Sequence, residues 1–283
     1  MKLVTFGLEH SNSKQLEYCT TPVSTLEAFK AGKIASMIGA EGLHQVGSSI
    51  ANIRMLFELG VRYITLTHNI NNAFATCALS VTNGDTDHGL TALGKAGIME
   101  MNRLGMLVDL SHVSVKTMED TLQVTRSPVV FTHSAARALS DHGRNVPDHI
   151  LDQMPANRGI VMVPFVTRFL NVLDPESVNV DTIVDHIYYI ANRVGWEHVG
   201  IGGDFDGTPS LPIGMNDTSC YPTLIQAVLA RGATDEQTKK LMGGNILRVW
   251  QENIDISQKL IREGEKPREE YAPGRNFGLY DGP

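Results

Sequence analysis

Cysteine is scarce in this chain. Cys19, Cys77 and Cys220 are odd in number, scattered and never arranged as CxxC, so neither a disulfide framework nor a zinc knuckle is implied. No apolar run approaches the roughly 20 residues that a membrane helix needs. There is no basic stripe and the formal net charge is −7, which argues against a nucleic-acid partner. HExxH, GxSxG and GxGxxG are all absent, which removes the zincin, serine-hydrolase and dinucleotide-binding readings. The opening residues MKLVTFGLEHSNSK are too poor in apolar residues for a secretory core and carry no small-residue cleavage site, so a cytoplasmic location is expected. What remains is an ordinary globular composition, 42% hydrophobic and 19% charged over 283 residues, enough for one barrel or two smaller domains.

The most informative stretch runs from Met106 to Ser134. Two short, β-branched-rich apolar runs, Met106 to Ser111 and Pro128 to Thr132, each end in a histidine, His112 and His133. Between them Ser114 is a plausible N-cap, and Val115, Met118 and Leu122 recur at helical spacing, so the whole reads as one βαβ unit. That places two imidazoles side by side at the C-terminal ends of adjacent parallel strands, where α/β barrels and open α/β sheets carry their chemistry. Neutral imidazole is a common zinc ligand, and ligands borrowed from successive strands are held rigidly.

The same period extends along the chain. Thr25 to Gly32 is helical in pattern, and the buried strand from Ile34 to Ala40 delivers Glu41. Ser48 to Leu59 is helical, and the strand from Arg62 to Thr67 delivers His68. Asn69 to His88 is a polar stretch longer than a structural connection requires, hence a candidate active-site loop. The helix from Leu90 to Leu104 leads into the His112 strand, and Arg144 lies in the loop after His133. Gly159 to Phe165 is a strand, Val180 to Val194 an amphipathic helix, and the strand from His198 to Gly203 delivers Asp204. A capping box at Thr234 and Gln237 opens a final helix through Trp250. Beyond Gly264 the composition turns to Glu, Pro, Arg and Gly, so residues 1–263 read as one domain and 264–283 as a surface tail.

Six strands, near 34–40, 62–67, 106–111, 128–132, 159–165 and 198–203, are two short of a (β/α)8 barrel, and the shortfall sits at the N-terminus. Their ends, with the loop after His133, supply Glu41, His68, His112, His133, Arg144 and Asp204: ligands, proton carriers and an anion binder. Each has an ordinary reading alone: Glu41 as a turn cap, Arg144 paired with Asp141 or Asp148, Asp204 as an N-cap. Their shared location favours a site instead. A carboxylate with two imidazoles suits a hydrolytic zinc. Gly89 to Lys95 imitates part of a phosphate-binding loop, but Ala96 stands where Ser or Thr is needed and no strand precedes it.

In the runs IASMIGAEG (Ile34 to Gly42), RYITLTHN (Arg62 to Asn69), MNRLGMLVDLSHVS (Met101 to Ser114), PVVFTHS (Pro128 to Ser134), RNVPD (Arg144 to Asp148) and VGIGGDFDG (Val199 to Gly207), the sequence resembles the membrane, or renal, dipeptidases, over roughly Glu17 to Trp250. The resemblance implies an amidohydrolase-type (β/α)8 TIM-like barrel that holds a pair of Zn2+ ions, cleaves dipeptides and tends to form homodimers. It makes Glu41 the carboxylate that bridges the ions and His112 and His133 ligands of the second. By the same resemblance His68 steadies the scissile carbonyl oxygen and Arg144 holds the substrate carboxylate. Asp204, preferred over Asp206, handles protons and the substrate amine.

One departure stands out. The family's His-x-Asp pair, which completes the first zinc site, occurs nowhere in this chain, and His10 is a poor substitute. An incomplete chain of a working dipeptidase, a short form with a single zinc on Glu41, His112 and His133, and a catalytically silent binding relative are all consistent with that gap. Six strands also leave two open edges unless Met1 to Gly7 or a second chain covers them.

Overall fold

The computed structural model describes residues 14–270. The expectations for Met1 to Gly7, for His10 and for residues 271–283 fall outside the described residues. In chain order the main elements are β1 (Leu16–Tyr18), α1 (Pro22–Lys30), β2 (Ile34–Ser36), β3 (Ile38–Glu41), α2 (Ile50–Glu58), β4 (Val61–Thr65), α3 (Ala92–Leu104), β5 (Leu107–Asp109), α4 (Val115–Val124), β6 (Val130–Phe131), β7 (Ile160–Val163), α5 (Val180–Val194), β8 (Val199–Ile201), α6 (Tyr221–Ala230) and α7 (Asn245–Arg262). Strands β3 to β8 form a parallel sheet in sequence order, as successive βα units place them, while β1 and β2 make a separate parallel pair. Among the described residues β3 and β8 are the first and last strands of this hydrogen-bonded order.

The alternation of side chains along each strand separates two cores. Ile64, Val108, Phe131 and Val161 face the helices and join the large cluster. Leu107, Val130 and Ile160, at the N-terminal ends of their strands, point the other way and pack on Val249 and Trp250 of α7. Two residues further on, that same face carries Asp109 and Thr132. It is therefore apolar and plugged by Trp250 at one end, and polar at the other. Gly39 is required on this face, because a Cβ there would sit 1.9 Å from Cζ of Tyr63 on the neighbouring strand.

Several expected boundaries move. The strand from Ile34 is broken at Met37: its first half pairs with Leu16–Tyr18, a strand too short to stand out in the sequence, and only the second half joins the main sheet. Helix α1 begins at Pro22, capped by the Thr21 side chain, ahead of the expected Thr25. The final helix is not continuous from Thr234 to Trp250. The Thr234–Gln237 capping box forms over Asp235–Lys239, the chain kinks at Gly243 with φ 154°, and α7 then runs on to Arg262. Residues 264–270 have no regular structure, yet the Arg268 backbone N–H donates to Glu100 Oε2 at 3.0 Å.

Candidate metal centre

Glu41 closes β3, and the polypeptide leaving β5 and β6 turns sharply to present His112 and His133. His112 Nε2 lies 2.9 Å and His133 Nε2 3.3 Å from the same oxygen of Glu41, and one donor atom from each of the three residues lies within 4.8 Å of the others. Both histidine side chains are nearly buried, while Glu41 is half-exposed toward a cavity of about 390 Å³. His68 stands on the open side, its Nε2 3.7 Å from the other Glu41 oxygen and its ring 4.6 Å from that of His112.

His112 holds φ 68°, a left-handed conformation costing a non-glycine residue on the order of 1–2 kcal/mol. The long loop after His68 maintains it. Ala78 N–H donates to the His112 carbonyl at 2.8 Å, and Ser114 N–H to the Thr76 carbonyl at 3.0 Å. That loop is itself braced by Asn72, whose amide donates to the Leu66 carbonyl and whose oxygen accepts from Phe74 and Ala75. Asp204 is held at φ 57°, and the tight turn beyond it needs Gly207, where a Cβ would sit 2.3 Å from Asp204 Oδ1.

Charge is distributed to suit a cation beside an anion site. Burial pulls the His112 imidazole down to about 4, against the opposing pull of Glu41, so at pH 7 the ring is neutral and available as a ligand. The hydrogen bond from His112, with the neighbouring His133, holds Glu41 well below the usual carboxylate range. Burial and then the Glu41 charge push Asp204 up, which makes it a better base, although His133, Arg144 and His68 oppose the shift. Tyr63 beneath them is pushed up to about 12, by burial first and then by Asp109, Glu41 and Asp204, and stays neutral.

Arg144 does not pair with Asp141 or Asp148, which are engaged by Arg137 and Arg193. It is 6% exposed and reaches the cavity wall, where Nε and both terminal nitrogens have no hydrogen-bond partner among the described residues. Its guanidinium lies 4.9 Å from the Phe169 ring centroid, and burial brings it down to about 10. A buried, unpartnered guanidinium is costly unless an anion joins it. Asn145 fixes the loop by donating to the Ser140 and Phe169 carbonyls at 2.8 and 2.7 Å.

A donor set of one carboxylate and two imidazoles, with the buried His133 Nε2 beside Glu41 left without a hydrogen-bond partner among the described residues, fits a divalent cation. Residues 4–263 match the model of the membrane dipeptidase family, peptidase family M19. The chain belongs to that family. It is 46% identical over 279 residues to an uncharacterized dipeptidase of Schizosaccharomyces pombe, covering 98% of this chain and 67% of that protein. It is also 46% identical over 245 residues to dipeptidase tcpJ of Claviceps purpurea, covering 87% and 57% respectively, so the chain spans about two thirds or less of these relatives' length. Among solved structures, a metallo peptidase from Rhodobacter sphaeroides liganded with a phosphinate mimic of the dipeptide L-Ala-D-Ala superposes with a TM-score of 0.81 at 26% identity, over 89% of this chain and 73% of that one. This membrane-dipeptidase fold is α/β with parallel strands, as the strand count implies, and no helix among its described residues is long and apolar enough to cross a membrane.

Asp109 and Thr132 escaped the sequence reading. Asp109 is fully buried and accepts four hydrogen bonds: from the backbone N–H groups of Ser111 and Thr132 at 3.0 Å each, and from the hydroxyls of Thr65 and Thr132 at 2.6 and 2.7 Å. The available signal was an aspartate inside an apolar strand, a residue almost never buried unless partnered.

Proposed function

We propose that the chain is a zinc-dependent dipeptidase whose site is built from Glu41, His68, His112, His133, Arg144 and Asp204. The observation that carries this reading is the convergence of Glu41, His112 and His133 donor atoms within 4.8 Å at the strand ends of a family member. A zinc held by these three residues supplies Lewis acidity for the peptide carbonyl and acidifies water to a usable nucleophile near neutral pH.

The protein's own groups do the rest. Arg144, with its fork of unpartnered N–H donors, binds the dipeptide's terminal carboxylate and so sets the distance of the scissile bond from Glu41. His68, through its ring N–H, donates to the carbonyl oxygen as negative charge develops there. Asp204 takes the proton from the attacking water on its carboxylate and returns it to the leaving amine, a task its raised proton affinity favours. The wall formed by Phe169 and Leu79 limits water around the bond.

The test is release of both amino acids from a small dipeptide such as Ala-Ala by the purified chain. Activity lost on chelation, restored by zinc and abolished by His112→Ala supports the reading; activity surviving chelation and His112→Ala contradicts it. A second reading is favoured by the ligand count. With no His-x-Asp in the sequence, three residues suit one ion better than two, and such a chain works slowly or serves as a binding relative. Metal analysis separates the cases. One zinc per chain with slow turnover supports the single-ion form, and a chain without zinc or turnover supports the binding relative.

A further inference from the structure

The hydrogen bonds beneath the candidate centre determine more than the fold requires. Thr132 Oγ1 is 2.7 Å from Asp109 Oδ2 and 2.8 Å from His133 Nδ1, and the hydroxyl has one proton to give. The Asp109 carboxylate can only accept. Its Oδ1 takes the N–H groups of Ser111 and Thr132, and its Oδ2 takes the hydroxyls of Thr65 and Thr132. The Thr132 proton therefore goes to Asp109, and its oxygen lone pair faces His133 Nδ1. Only an N–H on Nδ1 satisfies that contact. The neighbouring Ser111 hydroxyl does not compete, because it lies 3.4 Å from Thr132 Oγ1 and accepts the His133 backbone N–H at 3.0 Å.

The other ring nitrogen faces a negative charge. His133 Nε2 is buried, has no hydrogen-bond partner among the described residues, and faces Glu41 Oε1 at 3.3 Å. With the ring proton on Nδ1, a neutral His133 directs a lone pair at a carboxylate oxygen, and two acceptors at that separation repel unless a positive charge lies between them.

We propose that Asp109 and Thr132 are positioning residues that fix His133 as its Nδ1–H tautomer, reserving the Nε2 lone pair for a divalent cation shared with Glu41. Asp109 touches neither the cation position nor the substrate cavity; it acts through the Thr132 hydroxyl. The inference rests on the metal reading above, but its spectroscopic test does not.

The experiment compares the intact chain with Thr132→Val, which keeps the shape and removes the hydroxyl, and Thr132→Ser, which keeps the hydroxyl. Zinc affinity is measured by competition with a chromophoric chelator. The His133 ring state is read from long-range ¹H–¹⁵N correlations of metal-free protein at alkaline pH, assigned with His133→Gln. Partners of this kind change metal affinity about 10- to 100-fold. Thr132→Val is expected to weaken zinc by that factor and to lose the Nδ1–H signature, and Thr132→Ser to restore both. A folded Thr132→Val with unchanged zinc affinity, or a wild-type ring protonated on Nε2 rather than Nδ1, overturns the proposal. If the wild-type chain takes up no zinc, the metal reading fails, while the ring spectrum still decides the tautomer. If Thr132→Val does not fold, the wild-type spectrum decides alone.

Discussion

Replacing Arg144 with methionine should make the protein more stable and a worse enzyme. Methionine keeps the length and apolar stem of the side chain while removing a guanidinium that has no partner among the described residues. Burial brings Arg144 down from the ordinary guanidinium range to about 10. At about 1.4 kcal/mol per pH unit, that corresponds to roughly 3 kcal/mol of folding free energy spent holding the charge inside. The variant also forfeits the cation–π contact with Phe169, worth about 1 kcal/mol, leaving a net gain near 2 kcal/mol. For a chain of this size each kcal/mol moves Tm by about 2–4 °C, so calorimetry of substrate-free protein should show a rise of about 4–8 °C. Kinetics on the same sample should show the opposite, with KM for a dipeptide raised on the order of 100-fold, because a buried charge-assisted pair is worth about 2–5 kcal/mol. A fall in Tm would mean that Arg144 is already satisfied in the free protein, and would refute its assignment as the carboxylate anchor.

Two further perturbations address charge elsewhere. Glu100 is fully buried; burial alone would raise it, but Arg103, the Arg268 backbone N–H and Arg54 outweigh burial and hold it below its ordinary 4.5. Its contribution is therefore complete above that value and lost as pH falls through the lowered one. Glu100→Gln should cost about 3 kcal/mol in urea unfolding at pH 7, with the gap to wild type closing on acidification. Asp204 is raised by burial, so kcat/KM should fall on acidification at a pH above the ordinary 3.8 of an aspartate. Asp204→Asn should remove that limb with a loss of about 10²- to 10⁴-fold, read from a pH–rate profile.

The parts of the fold legible in the sequence were those where local and global signals agree. Each strand that delivers a candidate site residue is an apolar run closed by a polar residue, and each helix between them is amphipathic, so the placement of Glu41, His112 and His133 at strand ends is legible in the sequence. Their spacing in space was not legible, because it depends on parallel registers such as Asp109 opposite Val130. The break at Met37 and the kink at Gly243 were hidden for the same reason, since pairing with Leu16–Tyr18 and packing of α7 on the sheet decide them. The Thr21-Pro22 helix start was readable as a cap followed by proline, and so was the buried Asp109. Arg144 was readable as an arginine near the site, yet its lack of a partner is a tertiary fact.

The proposed chemistry depends on one cation shared by three side chains. The direct measurement is zinc retained per chain after exhaustive desalting, for the wild type and for Glu41→Gln, His112→Ala and His133→Ala. One tightly held ion in the wild type, lost or greatly weakened in every variant, is the predicted result. No retained zinc in a folded wild type, or equal retention in the variants, would contradict it.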